Sequence, residues 1–118
     1  MQIQVNTSNG IENKETLARW AEAELLSTLS HFKNDLTRVE VHLSHEAASK
    51  AGGETRCTME ARLAHQGPVA VSHHASTQDA AFRGASDKLR NALDKTLGKL
   101  RAHRNHESIA DAGVLDQP

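Results

Sequence analysis

Between residues 83 and 106 of this 118-residue chain stand Arg83, Lys88, Arg90, Lys95, Lys99, Arg101 and Arg104, opposed only by Asp87 and Asp94. Their spacing decides what chemistry they can do. At roughly 100° per residue on a helix, Lys88, Lys95 and Lys99 fall within about 40° of one another. Arg83, Arg90 and Arg101 fall within about 20° of one another on the other flank of the same helix. Asp87, Asp94 and Gly98 lie between the two groups, on the outermost side. Like charges in a row repel one another, and a polyanion relieves that cost. A phosphate backbone meeting such a row releases its condensed counterions, the usual source of nucleic-acid affinity. The plain alternative is a solvated helix face with no ligand.

The whole-chain charge of −1 conceals this feature. Divided along the chain, residues 1–82 carry −3, residues 83–106 carry +5 and residues 107–118 carry −3. A near-neutral total excludes a general polyanion coat and leaves room for one basic edge.

Other residues that could do chemistry are less convincing. Eight histidines invite a metal reading through His73-His74, His42 with His45, and His103 with His106. Neighbouring strand residues point to opposite faces, so His73 and His74 cannot easily share an ion. His103 and His106 could meet on one helical face, but no third ligand with credible spacing follows. No metal or other cofactor is expected. His73, on the inward side of its strand, reads as a packed or hydrogen-bonded histidine. The lone Cys57 excludes an internal disulfide framework and a cysteine-cluster zinc site, and its strand position favours a small buried thiol. No glycine-rich phosphate loop, nucleophile elbow or paired-carboxylate constellation is present, so neither an enzyme nor a small-molecule substrate is expected.

The elements that must position the basic residues follow from apolar periodicity. Residues 1–6 alternate, with Ile3 and Val5 opposite Gln2, Gln4 and Asn6, the signature of a half-buried strand. Asn9-Gly10 punctuates the chain and Asn13 is placed to cap a helix. Leu17, Trp20, Ala21, Leu25, Thr28, Leu29 and Phe32 then recur at helical spacing through residue 33, with Glu15, Glu22 and Glu24 outside. Residues 37–45 alternate, with Val39, Val41 and Leu43 inward; residues 46–54 form a connector without large apolar anchors. Residues 55–63 alternate again through Cys57, Met59, Ala61 and Leu63, and Gln66-Gly67-Pro68 reads as a turn. Val69, Val71, His73 and Ala75 line a fourth strand. Ser76 or Thr77 caps a second helix whose inner stripe is Phe82, Ala85, Leu89, Leu93, Thr96, Leu97 and Leu100. The aromatics Trp20, Phe32 and Phe82 all fall on helix stripes, so base stacking on the sheet is not expected.

The order β-α-β-β-β-α, with one apolar face per strand and one apolar stripe per helix, specifies an α+β domain. Its two helices pack on one face of a four-stranded sheet. The first helix is a crossover that makes the first two strands parallel neighbours, and the other three form an antiparallel meander. The domain spans residues 1–104, and residues 105–118 read as a flexible acidic tail. With no run approaching ~20 apolar residues and a polar start, a soluble, cytoplasmic protein without a membrane partner is expected.

From residue 1 to about 104 the sequence resembles the bacterial hibernation-promoting factor and ribosome-associated inhibitor family, also described as sigma-factor modulation proteins, in its short form. The opening MQIQV, the register Leu17, Trp20, Leu25, Phe32, the strand TRVEVHL and the helix DKLRNALDKTLGKL carry the likeness. Lys88, Lys95 and Lys99 fall on the family's basic positions. The resemblance implies that they contact ribosomal RNA of the small subunit, holding idle ribosomes inactive under stress. Arg83, Arg90, Arg101 and Arg104 complete the candidate RNA-binding set, the arginine flank being expected to matter less than the lysines, and a monomer or weak homodimer is expected. Where well-known members carry an aspartate–aromatic pair ahead of the second helix's alanines, this chain has Gln78-Asp79-Ala80-Ala81. Where their first helix often carries lysines, it has Glu24 and Ser27. From the residues alone, the rival function is a protein–protein adaptor that docks a basic partner on the polar sheet face and the acidic first helix.

Overall fold

In a computed structural model, residues 1–8, 11, 13–46, 54–64 and 66–111 are described, with side chains through Leu100. The alternating segments form four strands: β1 (Gln2–Thr7), β2 (Leu36–Glu46), β3 (Glu54–Leu63) and β4 (Gln66–Ala75). The helical periods form α1 (Lys14–Thr28) and α2 (Gln78–Asp111). The sheet order is β1-β2-β3-β4. β1 runs parallel to β2 with Ile3 opposite Val39 and Val5 opposite Val41. β2/β3 and β3/β4 are antiparallel, pairing Val41 with Met59 and Met59 with Val71. The fold is therefore the α+β arrangement that the periodicities specify.

One core lies between the sheet and the helices. Val39, Val41, Leu43, Cys57, Met59 and Ala61 project into it from the central strands and are fully buried. Leu25, Leu29 and Phe32 meet them from the α1 segment, and Phe82, Ala85, Leu89, Leu93 and Leu97 from α2. The edge strands bury less: Ile3, Val5, Val69, Val71 and Ala75 are partly covered. Burial at close to 25 cal/mol per Å² of apolar surface makes these inward side chains the main source of cohesion. Truncating Leu89 or Leu93 would cost about 2–5 kcal/mol.

Four local features differ from the sequence expectation. The α1 helix stops at Thr28, and a 3-10 turn, Ser30–Phe32, carries Phe32 into the core. A tighter turn advances the chain more per residue, so it can aim Phe32 inward while turning towards β2. Asn13 occupies the N-cap position in a left-handed conformation (φ 55°, ψ 46°) and makes no side-chain cap, because Asn tolerates that region. The turn expected at residues 66–68 lies earlier: Leu63 pairs with Gln66, so Gly67 and Pro68 belong to β4. Proline is accommodated there because β4 is an edge strand. Lastly, α2 continues through Asp111, past the position where the acidic tail was expected to begin. No glycine or proline interrupts the sequence between Gly98 and Gly113, so helix propensity carries the backbone on without a core-facing stripe. Residues 47–53, within the expected connector, and residues 112–118 of the expected tail lie outside the described residues.

Candidate nucleic-acid interface

The second helix begins where Thr77 Oγ1 accepts the Ala80 amide at 3.1 Å, and Asp79 complements the dipole of its first turn. From that point its inward stripe fixes the rotation of the whole helix. Ala81, Phe82, Ala85, Ser86, Leu89, Leu93 and Leu97 are buried, which turns the two basic flanks in opposite directions.

The lysine flank lies beside the edge of the sheet. Lys88 Nζ donates to the Ser72 carbonyl of β4 at 2.9 Å. That bond fixes the ammonium in place and leaves its charge uncompensated, because a carbonyl supplies only a dipole. Lys95 and Lys99 are exposed and, among the described residues, form no ion pair. At 1.5 Å per residue the three lysines are spaced by about 10 Å and about 6 Å along the axis. No acidic residue occupies the i±3 or i±4 positions around Lys95 or Lys99 on this row. The result is a rank of three positive charges without counter-charges of its own.

The arginine flank faces α1 and is electrostatically different. Arg83 Nε donates to both carboxylate oxygens of Asp79, at 3.0 and 3.1 Å, and its Nη1 lies 3.4 Å from Glu24 of α1. Its guanidinium carbon stands 5.5 Å from the centroid of the Trp20 ring, which in turn meets Phe82 at 4.8 Å between centroids. Each exposed ion pair contributes about 0–1 kcal/mol and the cation–π contact about 0.5–1 kcal/mol. These contacts occupy Nε and Nη1 of Arg83 and oppose its release to a phosphate. Arg90 is exposed and unpaired among the described residues, but Asp87 and Asp94 lie at the i−3 and i+4 positions beside it. Arg101 and Arg104 lie on the described helical backbone, and their side chains are outside the described residues.

The outer sheet face offers no comparable surface. Arg38 lies 2.8 Å from Glu40 and also bonds Gln4, Arg62 lies 3.6 Å from Glu60, and His74 Nε2 lies 3.0 Å from Glu46. β3 separates His42 on β2 from His74 on β4. Among the described residues no three His, Cys, Asp or Glu side chains are grouped to hold a metal ion. Burial pushes the Cys57 thiol up to about 12, so it stays protonated and unreactive at neutral pH.

Two contacts at this interface carry no signal in the sequence. His73, half-buried on β4, packs its ring against Gly84 so closely that a Cβ there would lie 2.1 Å from His73 Cδ2. The Ser72 carbonyl that holds Lys88 is a backbone group, which no residue type announces.

Residues 3–101 match the family model described as sigma 54 modulation protein / S30EA ribosomal protein. The chain belongs to this family. A search among curated proteins gives no match. Among solved structures, a ribosomal subunit interface protein from Coxiella burnetii superposes with a TM-score of 0.66 at 13% identity, covering 83% of this chain and 99% of the other. The Thermus thermophilus Protein Y N-terminal domain superposes with a TM-score of 0.60 at 20% identity, covering 81% and 99%. At those identities the likeness is one of fold. Within this S30EA family member, the positions that depart from the expected pattern are put to local use. Asp79 and Glu24 together hold Arg83 against Trp20.

Proposed function

We propose that this protein associates with the ribosome by binding small-subunit ribosomal RNA along the Lys88, Lys95 and Lys99 row of α2. By occupying that RNA it stabilises idle ribosomes and inhibits translation under stress. The observation that carries this reading is the contrast between the two flanks of one helix. Among the described residues the lysines stand in a row without ion pairs, while Arg83 is already held by Asp79, Glu24 and Trp20. Membership of the S30EA family supports the ribosome as the partner, as do the names of the two proteins that share its fold. Phosphate contacts position a protein without reading sequence, so recognition depends on the shape of the RNA rather than its bases. Arg90, Arg101 and Arg104 make secondary contributions at the margin of the row. The protein works without catalysis or a cofactor.

Co-sedimentation with purified small subunits tests the reading. Wild type is expected to pellet with the subunit at low salt. The triple variant Lys88→Glu, Lys95→Glu, Lys99→Glu is expected to remain in the supernatant with an unchanged circular dichroism spectrum. Failure of the wild type to pellet at low salt would remove the proposal. Equal loss on reversing Arg83 and Arg90 would move the interface to the other flank.

A further inference from the structure

On the side of α2 away from the lysines, a cleft of about 320 Å³ opens between the first turns of the two helices, lined by Asn13, Thr16, Leu17, Trp20, Gln78 and Asp79. Its volume is at the small end of the ~300–1,000 Å³ typical of ligand sites. The floor is the half-buried Trp20, and the rim carries a carboxylate, two amides and a hydroxyl. This composition suits a side chain with an apolar stem and a cationic head.

The molecule already makes such a contact beside the cleft, on the same Trp20 and Asp79. Arg83 sits over the Trp20 ring and against the carboxylates of Asp79 and Glu24. That is one cation against two anions, which leaves a local excess of negative charge. Asp79 remains well exposed (61%), and each of its oxygens has acceptor capacity beyond the single Arg83 Nε. The helix dipoles, which would oppose a cation at two N-termini, are already answered by Asp79 in α2 and Glu15 in α1. A polyanion finds little attraction here, because the Asp79 carboxylate stands on the rim and the Glu24 carboxylate lies close by, against Arg83. We propose that this cleft receives an arginine or lysine side chain from an extended segment of a basic protein partner. The molecule then has an RNA-facing flank of lysines and a separate protein-facing flank centred on Trp20. The second site is independent of the first.

Trp20 is the only tryptophan and the chain has no tyrosine, so indole emission reports the surroundings of this one side chain. The probe is an arginine-rich peptide with blocked termini, titrated into the full chain, with an oligoglutamate peptide and a single-stranded oligoribonucleotide as comparisons. The arginine peptide is expected to give a saturable emission change, and neither comparison should. Asp79→Asn with Glu24→Gln is expected to weaken that binding by about tenfold or more, the equivalent of about 1.4 kcal/mol. Lys88→Glu, Lys95→Glu, Lys99→Glu should leave it intact or strengthen it, which separates this site from the RNA row. No saturable response, a response to the oligoribonucleotide instead, or an affinity unaffected by losing both carboxylates would overturn the proposal.

Discussion

At Gly84 of α2 the His73 ring of β4 fills the space that a side chain would take. Gly84→Ala is expected to destabilise the fold by about 1–3 kcal/mol, because the imidazole must swing out or the helix must lift. Urea denaturation would measure it. Combining it with His73→Ala should recover part of the loss, since the two groups share one space and their effects cannot add. Cys57 makes a different prediction. Its thiol titrates near 9 when unfolded and near 12 in the core, so above pH 9 the unfolded chain binds fewer protons than the native one. The contribution of Cys57 to stability should be level below pH 9 and fall between pH 9 and 12, and Cys57→Ala should flatten that part of the profile in parallel urea titrations. At this scale the sequence announces positions but not partners. The angular spacing of Lys88, Lys95 and Lys99 could be read directly. The capture of Arg83 by Glu24 joins residues fifty-nine apart through the packing of α1 on α2, and no local pattern encodes it.

The two helices begin differently, and their N-termini should respond differently to mutation. Thr77 caps α2 through its hydroxyl, so Thr77→Ala is expected to cost about 1 kcal/mol in thermal or urea unfolding. Asn13 makes no such bond and serves α1 by accepting a left-handed backbone. Asn13→Gly should therefore be close to neutral in the same measurements, whereas Asn13→Ala should cost about 1–2 kcal/mol. Strands were the most legible elements, because inward and outward residues alternate along β2 and β3 with hardly an exception. The boundaries that eluded the pattern share a cause: something other than periodicity sets them. Gly67 and Pro68 look like a turn, yet an edge strand tolerates both. The end of α1 is set by the need to bring Phe32 and Leu36 into one core. Beyond Leu100, α2 has no apolar stripe to read, while its backbone remains helical to Asp111.

For the molecule as a whole, the RNA contact proposed for Lys88, Lys95 and Lys99 predicts how binding depends on salt. Three phosphate contacts give a slope of about −2.1 to −2.7 in log K against log salt. Subunit affinity is therefore expected to fall by about 20- to 40-fold between 50 and 200 mM salt, measured by co-sedimentation or filter binding. A much steeper slope would mean that further cations, such as Arg90, join the contact. No described helix is long and apolar enough to cross a membrane, and the apolar side chains converge on one core. That core is not assembled from neighbours alone. β1 bonds only to β2, and Gln2 finds its register partner at Arg38, thirty-six residues on. Synthesis delivers the first strand and then α1, which packs on it, before β2 exists to pair with the strand. At about 5–20 residues per second the interval lasts about two to seven seconds. The strand passes it with Gln2, Gln4 and Asn6 alternating with Ile3 and Val5. A nascent strand that is half polar keeps its two apolar side chains from forming a continuous adhesive surface while it waits for its partner.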